Sequence, residues 1–170
     1  ARMVPIEQRE LEWDRAVSNL RNVCIMADDK GLDIAIEPLN RFESDLVNTA
    51  RDVKKLIKDI NHPRAKICLD GFHMAIEEQN ILQAIITAGE DLIHVQVSEN
   101  YRGTPGTGTT NWNGIKMGLE QINYQGNIGI ESFTPDNNNL AEAVCIWKPP
   151  AESQDKFAQD SLKFLKILFD

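Results

Sequence analysis

Histidine is scarce in this chain, at three residues in 170, and the three cysteines, Cys24, Cys68 and Cys145, stand far apart with no CxxC pair. Unpaired, scattered thiols exclude a disulfide-stapled secreted scaffold and lead to the expectation of a reducing, cytoplasmic setting. The same scarcity argues against a zinc centre, which draws on histidine and cysteine. No apolar run approaches the length of a membrane span, and the N-terminus lacks the basic-then-apolar pattern of a signal peptide. A basic stripe is missing too. The 26 acidic residues outnumber the 18 basic ones for a formal net charge of -8, and the Lys and Arg residues are dispersed, so no nucleic-acid partner is expected. What remains is 42% hydrophobic composition in a length that suits one domain, expected over residues 1–170.

Apolar residues at helical spacing (Leu11, Ala16, Val17, Leu20, Val23, Cys24, Ala27) predict a long helix from 7 to 30, with Gly31 as its stop. The run LDIAIEP then reads as a buried strand ended by Pro38. NTARDVKKLIKDI places Val53, Leu56, Ile57 and Ile60 on one helical face, with Asn48 or Thr49 as the cap. The alternation repeats as strand AKICLD, helix QNILQAIITAG, strand LIHVQV, a long loop, helix NGIKMGLEQI and strand NIGIES. Helical stretches over 139–147 and 152–169, parted by KPP, close the chain. Four strands each followed by a helix, with no hairpin signal between them, imply parallel right-handed βα units in an α/β fold.

An open doubly wound sheet and a closed (β/α) barrel share this pattern. Glu37, Asp70, Gln96 and Glu131 each fall at the C-terminal end of a strand, about one βα unit apart. At the mouth of a barrel such residues converge on one point, whereas an open sheet spreads them in a row, so the barrel is favoured and the open sheet is the alternative. A whole eight-stranded barrel takes roughly 250 residues. Four strands are therefore half of one, with two sheet edges left to be covered by a preceding half or by a second copy.

A carboxylate at the end of an isoleucine-rich strand is poorly solvated and needs a cation or donors nearby. For Glu37 a salt bridge to Arg41 and a metal role carry equal weight. For Asp70 the alternative is a cap on the following turn, and for His73, three residues on, a hydrogen-bonded loop histidine. His94, one layer below the mouth, reads as a packing residue. His62 reads as a turn residue, Trp112 as the anchor of its helix start, and Glu77 and Glu78 as a helix N-terminus. Three carboxylates and the Gln96 amide are hard donors that suit Mn²⁺ or Mg²⁺ better than a thiolate-seeking metal. The glycines of HVQVSENYRGTPGTG suggest a phosphate cradle, but no helix starts close enough behind them to form one.

IEPLNRFE, LDGFHMAIEE, HVQVSENYRGTPGTG and GIESF, in this order and spacing, resemble the ketose 3-epimerase branch of the xylose-isomerase-like TIM-barrel superfamily, over nearly the whole chain. The resemblance implies that the chain is the C-terminal half, strands five to eight, of a (β/α)8 barrel. It implies Glu37, Asp70, Gln96 and Glu131 as metal ligands, with Glu37 and Glu131 also as the acid/base pair. Glu43, His73 and Arg102 then contact the sugar. One position departs from the pattern: the epimerases carry histidine as third ligand in an HxH pattern, whereas counting back from Arg102 puts Gln96 there. A related group resembling hydroxypyruvate isomerases and 2-oxo-tetronate isomerases has glutamine at that place.

The expected function is divalent-metal-dependent ketose 3-epimerisation through an enediolate, with Mn²⁺ as cofactor and Mg²⁺ or Co²⁺ as the other candidates. The alternatives are isomerisation of a hydroxy-oxo acid such as hydroxypyruvate, and a catalytically silent half-barrel. A small sugar or hydroxy-oxo acid is the expected substrate, no membrane partner is expected, and the chain is expected to form homo-oligomers that pair half-barrels. Apurinic endonucleases share the fold but need a histidine cluster that this chain lacks.

Overall fold

The computed structural model describes residues 3–170. A short 3-10 turn leads into helix α1 (Arg9–Asp28), which Gly31 ends in a left-handed conformation at φ 66°. There follow β1 (Ile34–Ile36), α2 (Ala50–Ile60), β2 (Ala65–Asp70), α3 (Gly71–Glu77), α4 (Ile81–Ala88), β3 (Leu92–Val97), α5 (Trp112–Gln121), β4 (Asn127–Ile130), α6 (Asn138–Ala143) and α7 (Gln154–Phe169). Among the described residues no helix is long and apolar enough to cross a membrane.

All three strand pairings are parallel, and the spatial order β1-β2-β3-β4 is the order along the chain. A doubly wound sheet reverses its strand order at a switch point. Here each crossover steps the same way to the next position, as in a barrel wall. The alternative of an open doubly wound sheet is thereby set aside.

The two faces of the sheet differ as parallel βα units require. Leu69, Val95, Ile128 and Ile130 belong to the apolar core that the sheet shares with the helices, with Val53, Leu56 and Ile60 of α2, Ile85 of α4 and Ile115 of α5. Residues two apart share a face, and cross-strand partners share it too. The pairs Cys68–His94, Asp70–Gln96 and Gln96–Gly129 therefore put Cys68, Asp70, His94 and Gln96 together on the opposite face. Glu37 and Glu131, one residue beyond β1 and β4, fall on that face as well.

Helix starts follow their caps. Thr49 accepts from the Asp52 N–H, and the Asp52 carboxylate returns to the Thr49 N–H in a complete capping box. Asn80 and Asn111 cap α4 and α5, and Trp112 is the buried first residue of α5, as expected of an anchor.

Several expectations need correction. Trp13, Val17, Leu20, Cys24 and Ala27 of α1 face the core, but Leu11 and Val23 are exposed, because among the described residues nothing packs over that side of the helix. The helix expected over 139–147 stops at Ala143, and Cys145 turns the chain at φ 55°. Glu77 and Glu78 do not open a helix: Glu77 ends α3 and Glu78 is its C-cap. The Glu78 carboxylate nonetheless reaches a helix N-terminus, that of α2, where it accepts the Ala50 N–H at 2.6 Å.

Helices α4 and α5 approach closely because Gly118 has no side chain. A Cβ there would lie 2.9 Å from Ile85 Cβ and 3.0 Å from its Cγ2. Alanine in a helix gains up to about 1 kcal/mol over glycine, but overpacking costs about 1–3 kcal/mol. Gly118→Ala is therefore expected to lower stability by about 1 kcal/mol, seen in urea as a lower midpoint with an unchanged slope.

Candidate active site

The strand ends gather seven polar side chains into one connected cluster. Asp70 is 1% exposed and bonds through both oxygens: Oδ1 accepts the Phe72 N–H at 2.8 Å and so caps α3, while Oδ2 accepts from Arg102 Nη1 at 2.6 Å. The cap and the site role thus coexist. The same Nη1 donates to Glu131 Oε2 at 2.7 Å, so one guanidinium nitrogen bridges the ends of β2 and β4. The rings of Phe72 and Phe133 flank this guanidinium, at 4.1 and 5.3 Å from their centroids.

Glu37 forms no ion pair with Arg41, whose Nε instead donates to Glu77 at 2.9 Å. It faces His73, with Nε2 3.7 Å from Glu37 Oε1 and 3.9 Å from Asp70 Oδ2. His73 bonds through its other nitrogen to Asn40, which also donates to Glu43 Oε1 at 2.8 Å. Gln96 donates through Nε2 to Glu131 Oε1 at 3.0 Å, and its Oε1 accepts the Cys68 thiol at 3.2 Å. In this arrangement the amide nitrogen faces the carboxylates. Ligation through the oxygen requires the amide to turn over and give up the thiol bond. All seven residues singled out from the sequence, Glu37, Glu43, Asp70, His73, Gln96, Arg102 and Glu131, therefore belong to this cluster. His94 lies below it, its ring passing within 3.3 Å of where a Cβ on Gly129 would stand.

The charges do not balance. Burial, then the charges of Asp70 and Glu131, push Glu37 up to about 7. Glu131 is also raised, by burial and then Asp70, with Arg102 opposing. Burial and then Arg102 lower His73, which keeps the ring neutral near pH 7. Burial pushes the Cys68 thiol far up, so it stays a donor to Gln96. Three carboxylates thus face a single guanidinium, an excess of negative charge that a divalent cation fits. Among the described residues, ligand atoms of Glu37, Asp70 and His73 lie within 4.8 Å of one another, close enough to hold a metal ion.

The loop that carries Arg102 is built around Glu99, which is fully buried. Its carboxylate accepts the N–H groups of Gly106 (2.8 Å) and Thr110 (2.7 Å) and the indole N–H of Trp112 (3.0 Å). Burial alone would raise Glu99, but these bonds, with that from Asn100, outweigh it and hold the group below its usual range. Gly108 is required here, since a Cβ would meet Glu99 Cγ at 2.5 Å. Arg102 itself sits at φ 64°, and Ser132 Oγ donates to its carbonyl at 2.6 Å.

Comparison with known proteins decides the family. The xylose isomerase-like TIM barrel family matches residues 3–167. The chain belongs to this family. A D-psicose 3-epimerase of Ruminiclostridium cellulolyticum is 34% identical over 164 residues, covering 94% of this chain and 56% of that protein. An L-ribulose 3-epimerase structure superposes with a TM-score of 0.92 at 29% identity, covering 99% of this chain and 56% of that one. A D-psicose 3-epimerase from Clostridium cellulolyticum H10, solved with D-tagatose, gives 0.90 at 30% identity, with 99% and 59% covered. The chain spans about half the length of these relatives, as a half-barrel does.

Asn40, Phe72, Phe133, Glu99 and Cys68 escaped the sequence reading. Asn40, Phe72, Glu99 and Phe133 sit inside the runs IEPLNRFE, LDGFHMAIEE, HVQVSENYRGTPGTG and GIESF, so membership of those motifs was the available signal.

A raised carboxylate pKa means that the folded protein holds the proton more tightly than the unfolded chain does. That stabilisation is present below pH 4.5 and is lost as pH rises through about 7 for Glu37. Without metal, thermal unfolding is expected to show stability falling over this window, by at most about 3 kcal/mol. Glu37→Gln should flatten the fall and Mn²⁺ should reverse it. A flat wild-type profile in chelator would contradict the crowding of carboxylates.

Proposed function

We propose that this chain supplies the metal-binding and proton-transfer half of a sugar epimerase site, with ketose 3-epimerisation as the reaction. The observation that supports it best is the pair Glu37 and Glu131, one beyond each outermost strand, raised together and grouped with Asp70, Gln96, His73 and Arg102. The names of the relatives agree with this reading: D-psicose 3-epimerase and L-ribulose 3-epimerase.

The hydrogen on the carbon beside a ketone is too weakly acidic for a carboxylate alone. Glu37, Asp70, Glu131 and, after its amide turns, Gln96 would hold a divalent ion, with Mn²⁺ the best match to these oxygen donors. When bound, such an ion supplies Lewis acidity at the carbonyl and the adjacent hydroxyl. One glutamate then takes the proton from carbon 3 on one face, leaving an enediolate, and the other returns a proton to the opposite face, inverting that carbon. Arg102 and His73 offer N–H groups to the developing oxygen charge, and Glu43 binds a hydroxyl. Residues two apart from one another along β2 and β3 face the barrel interior, so four further strands, from additional sequence or from a second copy, would close the lumen at the edges of β1 and β4 and exclude water.

Gln96 favours a second reading, isomerisation of a hydroxy-oxo acid such as hydroxypyruvate, where the proton moves between neighbouring carbons instead. The two separate on assay of the full chain with Mn²⁺ in D₂O, offering D-fructose, D-tagatose and hydroxypyruvate. Epimerisation predicts deuterium at carbon 3 of the ketoses and a new epimer. Turnover of hydroxypyruvate alone would sink the first reading. Glu37→Gln and Glu131→Gln are each expected to lower kcat by about 10²-fold or more.

A further inference from the structure

Asn40, which plays no part in the chemistry just described, is 2% exposed and has its orientation fixed on one side. Its Oδ1 accepts the Phe42 N–H at 2.9 Å, so Nδ2 points the other way, to Glu43 Oε1 at 2.8 Å and His73 Nδ1 at 2.9 Å. The Asn40 backbone N–H points at the same ring nitrogen, at 3.1 Å. A backbone amide nitrogen can only donate, so His73 Nδ1 must supply the lone pair, and in the neutral ring the proton then sits on Nε2. Nε2 is the atom that faces Glu37 and Asp70. A histidine that ligates through Nε2 needs the reverse: a lone pair there, and an Nδ1–H given to a carbonyl or carboxylate.

We propose that Asn40 is a positioning residue that locks His73 as the Nε2–H tautomer. His73 then offers the site a hydrogen-bond donor for a substrate oxygen and stays outside the metal's ligand set, despite lying close enough to join it. The same amide orients Glu43, so one buried side chain aligns two substrate contacts. The substrate part rests on the epimerase or isomerase reading above, whereas the tautomer does not.

Long-range ¹H–¹⁵N spectra of the full chain labelled in histidine test this, with the His73 signals assigned by difference against His73→Asn. The expected result is an unprotonated Nδ1 and a protonated Nε2, unchanged in position when Mg²⁺ is added. A protonated Nδ1, or a coordination shift at Nε2 on adding Mg²⁺, overturns the proposal. Asn40→Asp, of equal size, puts an acceptor where the amide donated. It is expected to move a measurable fraction of His73 to the Nδ1–H form and to lower kcat/KM about tenfold or more. An Asn40→Asp protein with the wild-type tautomer and wild-type turnover refutes the role of the side chain. If the tautomers behave as expected but no ketose or hydroxy-oxo acid is turned over, the functional reading fails and the tautomer lock stands.

Discussion

Mutual repulsion among three carboxylates at the ends of parallel strands is the constraint that the rest of the site answers. Glu37, Asp70 and Glu131 are brought together because each ends or follows an apolar strand whose other face is committed to the core. Such crowding persists only if something compensates it. Arg102 does so in part, bridging Asp70 and Glu131. The half-buried position of Glu37 leaves the remainder as a standing preference for a cation. The hydrophobic register that folds the sheet and the charge that defines the site are thus two aspects of one placement.

The order of the strands and the strand-end residues Glu37, Asp70, Gln96 and Glu131 were legible in the sequence from periodicity, whereas Glu43 and Arg102 were reached only through the family resemblance. Isoleucine-rich runs with a polar residue at their C-terminal end mark the same sheet face each time, and consecutive βα units stack those ends together. Contacts between residues distant in sequence and of ordinary type were not legible. Arg41 is four residues from Glu37, yet its partner is Glu77, brought near by α3, a helix that the run DGFHMAIE does not advertise. Leu11 and Val23 show the converse: helical spacing marks an apolar face, but whether that face is covered depends on what packs beside it.

Gln96 shows where chemistry and geometry part. Counting along the chain puts it at a ligand position, and it does lie among the carboxylates. An amide, unlike an imidazole, has a donor end and an acceptor end of nearly equal shape. Cys68 on the neighbouring strand holds the acceptor end, because its buried thiol keeps its proton. The orientation of Gln96 among the carboxylates is therefore set by a residue outside their cluster.

The buried Glu99 fastens the loop on which Arg102 rides, drawing in N–H groups from Gly106, Thr110 and Trp112. Because that loop carries the guanidinium that bridges Asp70 and Glu131, lifting it away changes the electric field of the site as well as its shape. The fold of that loop and the charge balance among the carboxylates are consequently one mechanical variable, like a latch whose bolt is itself a counter-ion.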